Sequence, residues 1–209
     1  MSEQKPGKLF VISAPSGAGK TSLVKALVAG DPNIVFSISY TTRPIRPGEM
    51  NGQDYYFVAP EEFAERVAQG EFLEHAQVFD NCYGTHREQI QDQLQHGRNV
   101  VLEIDWQGAR QVRAAMPDCV SVFVLPTSRA ELARRLRGRG TDSAAIIDRR
   151  LRDAQADMSH WHEFDYVIIN DTFEHALAAM NAIITGAGND CAVSNPDLRL
   201  LVNELLAVD

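Results

Sequence analysis

Short apolar runs alternate along most of the chain with segments whose apolar residues recur at helical spacing, and this alternation is typical of an α/β fold. The apolar runs predict β-strands over 9–12, 34–40, 54–58, 72–79, 98–105, 119–125 and 164–170. The predicted helices begin near residues 20, 60, 88, 106 and 129 and extend over 173–185 and 198–208. Residues 81–85 are predicted to turn the chain, because asparagine and glycine interrupt the pattern there. The middle third, with its aromatic and mixed polar residues, is predicted to be an inserted recognition unit.

A glycine-rich turn joins the first predicted strand to the first predicted helix. Residues 13–22 read Ser-Ala-Pro-Ser-Gly-Ala-Gly-Lys-Thr-Ser. Backbone N–H groups at a helix N-terminus attract anions, and glycines let the backbone close around phosphate oxygens without Cβ clashes. Lys20 can reach β- and γ-phosphates, and the Thr21 hydroxyl can ligate Mg²⁺. The context predicts a phosphate-binding loop, although Ala14 stands where the usual pattern has glycine; an ordinary strand-to-helix turn is the alternative.

Two arginines lie in a loop that two prolines make rigid, over residues 41–49. The guanidinium group has a planar fork that suits bidentate contact with phosphate. Arg43 and Arg46 are therefore predicted to form a second anion site. The alternative is that both are solvated loop charges that contribute little energy.

The strand predicted over 98–105 ends in two carboxylates, Glu103 and Asp105. A spacing of two residues puts both side chains on one face of a strand. Ligands of open α/β sheets bind outside the carboxyl ends of the strands, so we expect both carboxylates to face the glycine-rich loop. Asp105 could instead cap the helix that follows.

Arginines are concentrated between residues 129 and 152, where eight of the sixteen in the chain occur beside three acids. The net charge of this segment is therefore +5. Gly138 and Gly140 interrupt the segment and would let it hinge. A segment with this much positive charge in an acidic protein predicts a lid that closes over a triphosphate. The alternative, for half of these arginines, is that they lie on a solvated surface.

Composition narrows the class of protein. The chain has 209 residues, 44% of them hydrophobic, and a net charge of −8, which argues against a protein that coats nucleic acid. Three cysteines without metal-ligand spacing fit a reducing compartment. The polar N-terminus and the short first apolar run predict neither a signal peptide nor a membrane span, so the expected location is cytoplasmic. The helix predicted over 198–208, at the end of the chain, has apolar residues at helical spacing. This apolar face is expected to pack on the same domain or on another subunit, so a homo-oligomer is possible.

Five of these segments, taken in order and spacing, resemble the bacterial guanylate kinase family over about residues 8–186: 14–21, 41–49, 83–85, 104–108 and 135–140. The resemblance implies a P-loop NTPase fold, with a three-layer α/β/α core around a parallel sheet, an inserted mixed α+β GMP-binding subdomain near 38–98 and a helical lid near 137–158. It implies one such domain over 1–190, followed by a C-terminal helical extension over 191–209.

The same resemblance implies Mg²⁺-dependent transfer of a phosphoryl group from ATP to GMP or dGMP. The residues implied for ATP binding are Ala14, Pro15, Ser16, Gly17, Ala18, Gly19, Lys20, Thr21, Ser22, Arg135, Arg139 and Asn170. Those implied for GMP binding are Ser39, Arg43, Arg46, Tyr55, Glu74, Tyr83, Thr85 and Asp105. The implied catalytic residues are Lys20, Arg43, Arg139 and Arg150. Thr21 is the implied metal ligand, with Glu103 acting through water where the family usually has aspartate.

Three other functions are considered from the sequence. A GTPase switch is possible in principle, but the chain lacks the Asn-Lys-x-Asp run that recognises the base. A related P-loop kinase of another monophosphate or of a phosphorylated sugar would keep Lys20 but would not need Glu74 with Thr85. A non-catalytic binding module of the same family would be expected to lose charges of the P-loop or lid, and this chain has them. The expected partners are the small molecules ATP and GMP, without nucleic acid or membrane.

Overall fold

The computed structural model describes residues 5–78, 80–138 and 144–207. The strands are β1 Leu9–Ser13, β2 Ile34–Phe36, β3 Tyr40–Thr41, β4 Tyr56–Phe57, β5 Phe72–Val78, β6 Asn81–His86, β7 Asn99–Glu103, β8 Val120–Pro126 and β9 Tyr166–Asn170. The α-helices are α1 Lys20–Gly30, α2 Pro60–Ala68, α3 Arg87–Gln95, α4 Trp106–Ala115, α5 Arg129–Gly138, α6 Ala144–Met158, α7 Phe173–Thr185 and α8 Pro196–Ala207. Short 3₁₀ helices occupy Ser159–Glu163 and Asn189–Cys191.

The described residues form two compact units. The first unit takes its residues from Met1–Leu9, Asn33–Leu102 and Gln107–Cys119. The second unit takes its residues from Phe10–Pro32, Glu103–Trp106 and Val120–Asp209.

The second unit contains parallel strands in the order β1-β8-β9. Every residue of β1 is buried, and β8 is buried from Ser121 to Pro126. Strands that are covered on both faces read as continuous apolar runs, which is why these segments were recognisable in the sequence. Because the strands are parallel, their carboxyl ends lie at one edge, and the glycine-rich loop and Asn170 both occur there. These parallel strands, which alternate with helices, confirm the predicted α/β class.

The first unit contains a parallel pair, β2 and β7, and a four-stranded sheet in the order β4-β3-β6-β5. In the four-stranded sheet β3 and β4 are parallel, whereas β6 is antiparallel to β3 and to β5. Its core is formed by Tyr40, Phe63 and Phe72. The first unit thus has mixed α+β structure around its own aromatic core.

The prediction of a turn at 81–85 was wrong, because these residues belong to strand β6. Gly84 is the cause of the error. A Cβ atom at Gly84 would lie 3.1 Å from the Phe72 ring and 3.2 Å from the Phe63 ring. Glycine is therefore needed here for close packing within a strand, a role that the sequence pattern did not distinguish from a turn.

Several predicted strands are shorter in the structure, two of them in ways that change the expected arrangement. The strand predicted over 34–40 is divided, because β2 ends at Phe36 and pairs with β7, while Tyr40 begins β3 of the other sheet. The strand predicted over 98–105 ends at Glu103, so Asp105 lies beyond it and the strand alternation does not apply to Asp105. The helix predicted over 173–185 has the predicted bounds. Among the described residues, no helix has the length and apolar character needed to cross a membrane.

Candidate active site

The glycine-rich loop runs from the end of β1 to the start of α1, as predicted. Gly17 and Gly19 have φ values of 95° and 96°, a region that favours glycine. Gly19 directly precedes α1 and provides no side-chain cap. The first N–H groups of a helix have no acceptor within the helix, so this end of α1 presents donors suited to an anion.

Contacts with neighbouring elements also require glycine in this loop. A Cβ atom at Gly17 would lie 3.0 Å from the Leu136 side chain of α5. A Cβ atom at Gly19 would lie 2.4 Å from Nδ2 of Asn170, the last residue of β9. The loop is thus packed closely against α5 and the end of β9.

We expect Gly19→Ala to lower ATP affinity at least about tenfold, because alanine at positive φ adds about 1–3 kcal/mol of strain and its methyl group would displace Asn170. Calorimetric titration with an ATP analogue measures the loss. Gly30→Ala is the matched control, since a Cβ atom there has nothing within 4 Å, and it should bind as the wild type does. Equal affinity in both variants would contradict the prediction.

Polar contacts hold the loop from outside. The Ala18 carbonyl accepts hydrogen bonds from Asn170 Nδ2 at 2.7 Å and from Arg135 Nη1 at 3.3 Å. Arg135 also donates from Nη2 to the Asn170 carbonyl at 3.2 Å and from Nε to Glu131 Oε1 at 2.7 Å. Hydrogen bonds from Arg134 and Arg135 lower the pKa of Glu131 to about 2. The structure therefore brings Arg135 and Asn170, both expected on the ATP side, to the loop itself, and Glu131 offsets part of the arginine charge.

The first two residues of α1 contact the segment that follows β7. Lys20 Nζ donates to the Ile104 carbonyl at 2.9 Å, and the Thr21 hydroxyl donates to the Glu103 carboxylate. The expectation that Glu103 faces the loop is confirmed. The role of the Ile104 carbonyl was missed, because a backbone acceptor 84 residues away leaves no signal in the sequence.

The hydroxyl of Thr21 and the carboxylate of Glu103 supply the hard oxygen donors that Mg²⁺ prefers. Among the described residues, no group of three or more His, Cys, Asp or Glu side chains could hold a metal. Mg²⁺ commonly takes only one or two protein ligands and completes its shell with water and substrate phosphates. These two residues therefore fit Mg²⁺ that arrives with a nucleotide. Glu103, although it is longer than the aspartate that the family usually has, still contacts Thr21.

The loop over 41–49 orders its two arginines differently. Arg43 is 9% exposed, and its guanidinium donates to Glu49 Oε1 at 2.7 Å and to the Pro44 carbonyl at 2.9 Å. The Arg43 hydrogen bond lowers the pKa of Glu49. Arg46 is exposed, while its backbone N–H donates to Glu49 Oε2 at 2.8 Å. The solvated-charge interpretation is thus wrong for Arg43, and the role of the exposed Arg46 stays a prediction.

Aromatic rings surround Arg43. Its guanidinium carbon lies 5.4 Å from the Tyr55 ring centroid and 5.6 Å from that of Phe57. Tyr55 and Tyr83 pack edge to face with centroids 6.0 Å apart. Arg43, Tyr55 and Tyr83, which were all expected on the phosphate of GMP, therefore form one group in the first unit.

A buried carboxylate faces a buried hydroxyl across β5 and β6. Glu74 and Thr85 are paired in the strand register, and Thr85 Oγ1 donates to Glu74 Oε1 at 2.6 Å. Glu74 is 3% exposed and Thr85 is fully buried. Tyr83 and Thr85 are two residues apart in β6, so they share one face of the sheet. Ser39 is buried in the same unit.

Three expected site residues are not placed with the groups described above. Asp105 belongs to the second unit, whereas the other residues expected to bind GMP belong to the first. Arg139 lies outside the described residues, as does the joint expected at Gly140. Arg150 falls within α6, and its side chain also lies outside the description.

Comparisons with known proteins agree with one another. A family model described as guanylate kinase matches residues 6–187. A curated guanylate kinase of Alkalilimnicola ehrlichii is 54% identical over 201 residues, which cover 96% of this chain and 99% of that protein. One from Dechloromonas aromatica is 57% identical over 182 residues, with 87% and 90% coverage. The crystal structure of guanylate kinase from Anaplasma phagocytophilum has a TM-score of 0.72 and 34% identity, and the match covers 98% of each chain. The family match includes every site residue discussed above.

Proposed function

The chain belongs to the guanylate kinase family, and we propose that it transfers the γ-phosphoryl group of ATP to GMP, and to dGMP, at the residues described above. The products are ADP and the corresponding diphosphate. The reaction needs no covalent intermediate with the protein, because phosphoryl transfer depends on holding two anions in line and on neutralising charge over the transferring oxygens.

One observation carries the choice of acceptor: the buried pair of Glu74 and Thr85, 2.6 Å apart. Guanine presents N1–H and N2–H₂ as adjacent donors, which one carboxylate can accept together. Its O6 can accept from the Thr85 hydroxyl, whose single O–H would turn from Glu74 to the base. Adenine presents an acceptor at N1 and would leave the buried carboxylate without a donor, which is costly. The pair therefore supports a guanine base. Ser39 and Asp105 are kept as further guanine contacts on the family resemblance.

The phosphate of GMP is assigned to Arg43, Arg46, Tyr55 and Tyr83. Arg43 is already ordered by Glu49 and by aromatic contacts, so little conformational entropy is lost when it meets an anion. Arg46 is exposed and can extend toward the same anion. Arginine forks and tyrosine hydroxyls together give a phosphate several donors of fixed geometry.

The triphosphate of ATP is assigned to the glycine-rich loop, with Lys20 on the transferring group and Arg135 and Asn170 beside Ala18. Ser22, in the first turn of α1, completes this set. Thr21 and, through water, Glu103 would hold Mg²⁺, which would supply neutralising charge to the phosphates. Arg139 and Arg150 are assigned to a lid over about 137–158, which closes on the phosphates and excludes water.

The division into subdomains, the cellular location and the oligomeric state remain proposals as well. We retain a GMP-binding subdomain near 38–98 and an extension over 191–209, which contains α8. The three cysteines are free thiols, which supports a reducing, cytoplasmic location. A homo-oligomer formed through the tail stays a prediction.

A panel of nucleoside monophosphates tests the proposed function. With ATP and Mg²⁺, ADP release should be fast with GMP and dGMP and at least about 100-fold slower with AMP, CMP or UMP, because a site built for hydrogen bonds rejects an analogue that lacks them. Omitting the acceptor should leave little ATP hydrolysis, and chelating Mg²⁺ should stop transfer. Preference for another monophosphate, or for a phosphorylated sugar, would overturn the assignment.

A further inference from the structure

The segment Glu103–Trp106 of the second unit is held on one side by the glycine-rich loop and α1. Lys20 bonds to the Ile104 carbonyl at 2.9 Å, and Thr21 bonds to the Glu103 carboxylate. Of these α1 residues, Lys20 is assigned to the transferring phosphoryl group and Thr21 to Mg²⁺. Any shift of the segment would therefore displace the groups on which transfer depends.

The same segment is held on its other side by the end of α6 and by the 3₁₀ helix Ser159–Glu163 that follows it. Trp106 Nε1 donates to Asp157 Oδ1 at 3.0 Å. The Trp106 ring also stacks on the His160 imidazole, with centroids 3.7 Å apart and an interplanar angle of 16°. One directional hydrogen bond and one stacked ring together fix both the position and the rotation of the contact.

The end of α6 is itself firmly anchored. Met158 is 2% exposed, and Ala154 is buried against Leu132 and Leu136 of α5. His160 is held in turn by Glu163, at 2.6 Å. Burial raises the pKa of the Asp157 carboxyl. The Trp106 contact is thus made with a packed helix end, and it can transmit the orientation of α6.

We propose that Trp106 is a positioning residue that couples the orientation of α6 to Lys20 and Thr21 through the four-residue segment Glu103–Trp106. The proposal rests on the proposed function, since it concerns lid closure over ATP. Arg150 lies seven residues before Asp157 in α6, so it is about 10 Å along the helix from the contact. A tilt of α6 would move the backbone that carries Arg150 and, through Trp106 and the segment, would also shift the contacts that hold Lys20 and Thr21.

Trp106→Phe should lower kcat about tenfold and leave the KM values for ATP and GMP within about twofold. Phenylalanine keeps an aromatic ring for stacking and removes the N–H donor, and a lost positioning contact is felt mainly in the transition state. Asp157→Leu should have a similar effect. The double variant should be no worse than either single variant, because all three remove the same hydrogen bond.

Trp161→Phe is the matched control, since Trp161 is the other of the two tryptophans and packs edge to face on the neighbouring His162. It should lower the melting temperature without changing kcat measured well below that temperature. An unchanged kcat in Trp106→Phe, or losses that add in the double variant, would overturn the proposal. So would a kcat loss in Trp161→Phe equal to that in Trp106→Phe.

Hydrogen exchange provides a readout that does not require GMP transfer. With ADP bound, the Trp106→Phe substitution should speed backbone amide hydrogen exchange at least about threefold, both in the last turn of α6 and in the first turn of α1. Faster exchange at only one of these places would show that the contact does not couple them, and would overturn the proposal. Failure of wild-type protein in the monophosphate panel would overturn the proposed function instead, and the exchange result would still decide the coupling.

Discussion

Replacing Lys20 with alanine will lower kcat for phosphoryl transfer by at least about 100-fold while leaving the fold intact. The Lys20 ammonium has three donors, and the Ile104 carbonyl uses one of them. The other donors can meet phosphate oxygens, so the backbone contact places the charge before ATP arrives. Single-turnover kinetics with saturating ATP and GMP measure the chemical step.

Lys25→Ala is the control for this variant. Lys25 is an exposed residue of the same helix, and its replacement removes an equal charge from α1. It should leave kcat unchanged, and both variants should melt within a few degrees of the wild type, because a single partly solvated charge contributes little stability. Retention of more than about a tenth of wild-type turnover in Lys20→Ala would contradict the phosphate-binding assignment.

Local sequence was sufficient to predict the glycine-rich loop. The strand, turn and helix are contiguous there, and the φ requirements of Gly17 and Gly19 are properties of the turn itself. The same is true of α7, whose capping residue Thr172 and terminal Gly186 enclose the predicted helix. Where the residues that determine an element are close together in the chain, the sequence alone is sufficient to predict it.

Sequence reasoning failed where the role of a residue depends on a contact with a residue far away in the chain. Gly84 was interpreted as a turn because the Phe63 and Phe72 rings that require it lie elsewhere in the chain. The Trp106 contact with Asp157 joins residues 51 positions apart. No local pattern marks that contact, since an indole at a helix start is equally suited to a core position. Family resemblance supplied site residues such as Glu74, but their geometry came only from the strand register.

Base recognition and phosphate recognition in the first unit differ in the contacts with which the substrate must compete. Glu74 and Thr85 are already bonded and buried, so guanine would meet a preorganised acceptor. Arg43 is instead engaged by Glu49. A phosphate must compete with that carboxylate, so part of the Arg43 attraction for the anion is offset. Base recognition is therefore expected to contribute more to acceptor selectivity than Arg43 does.

Glu74→Gln will lower kcat/KM for GMP by about 10- to 100-fold and leave ATP affinity unchanged, since mismatched buried polar groups cost about 1–3 kcal/mol. Glutamine has nearly the same volume, and its oxygen can still accept from Thr85. Its NH₂ group, however, would face a guanine donor. Glu65→Gln, at an exposed position of α2 in the same unit, is the control and should behave as the wild type. Unchanged GMP kinetics in Glu74→Gln, with ATP binding intact, would move base recognition to other residues and favour a kinase of another phosphorylated acceptor.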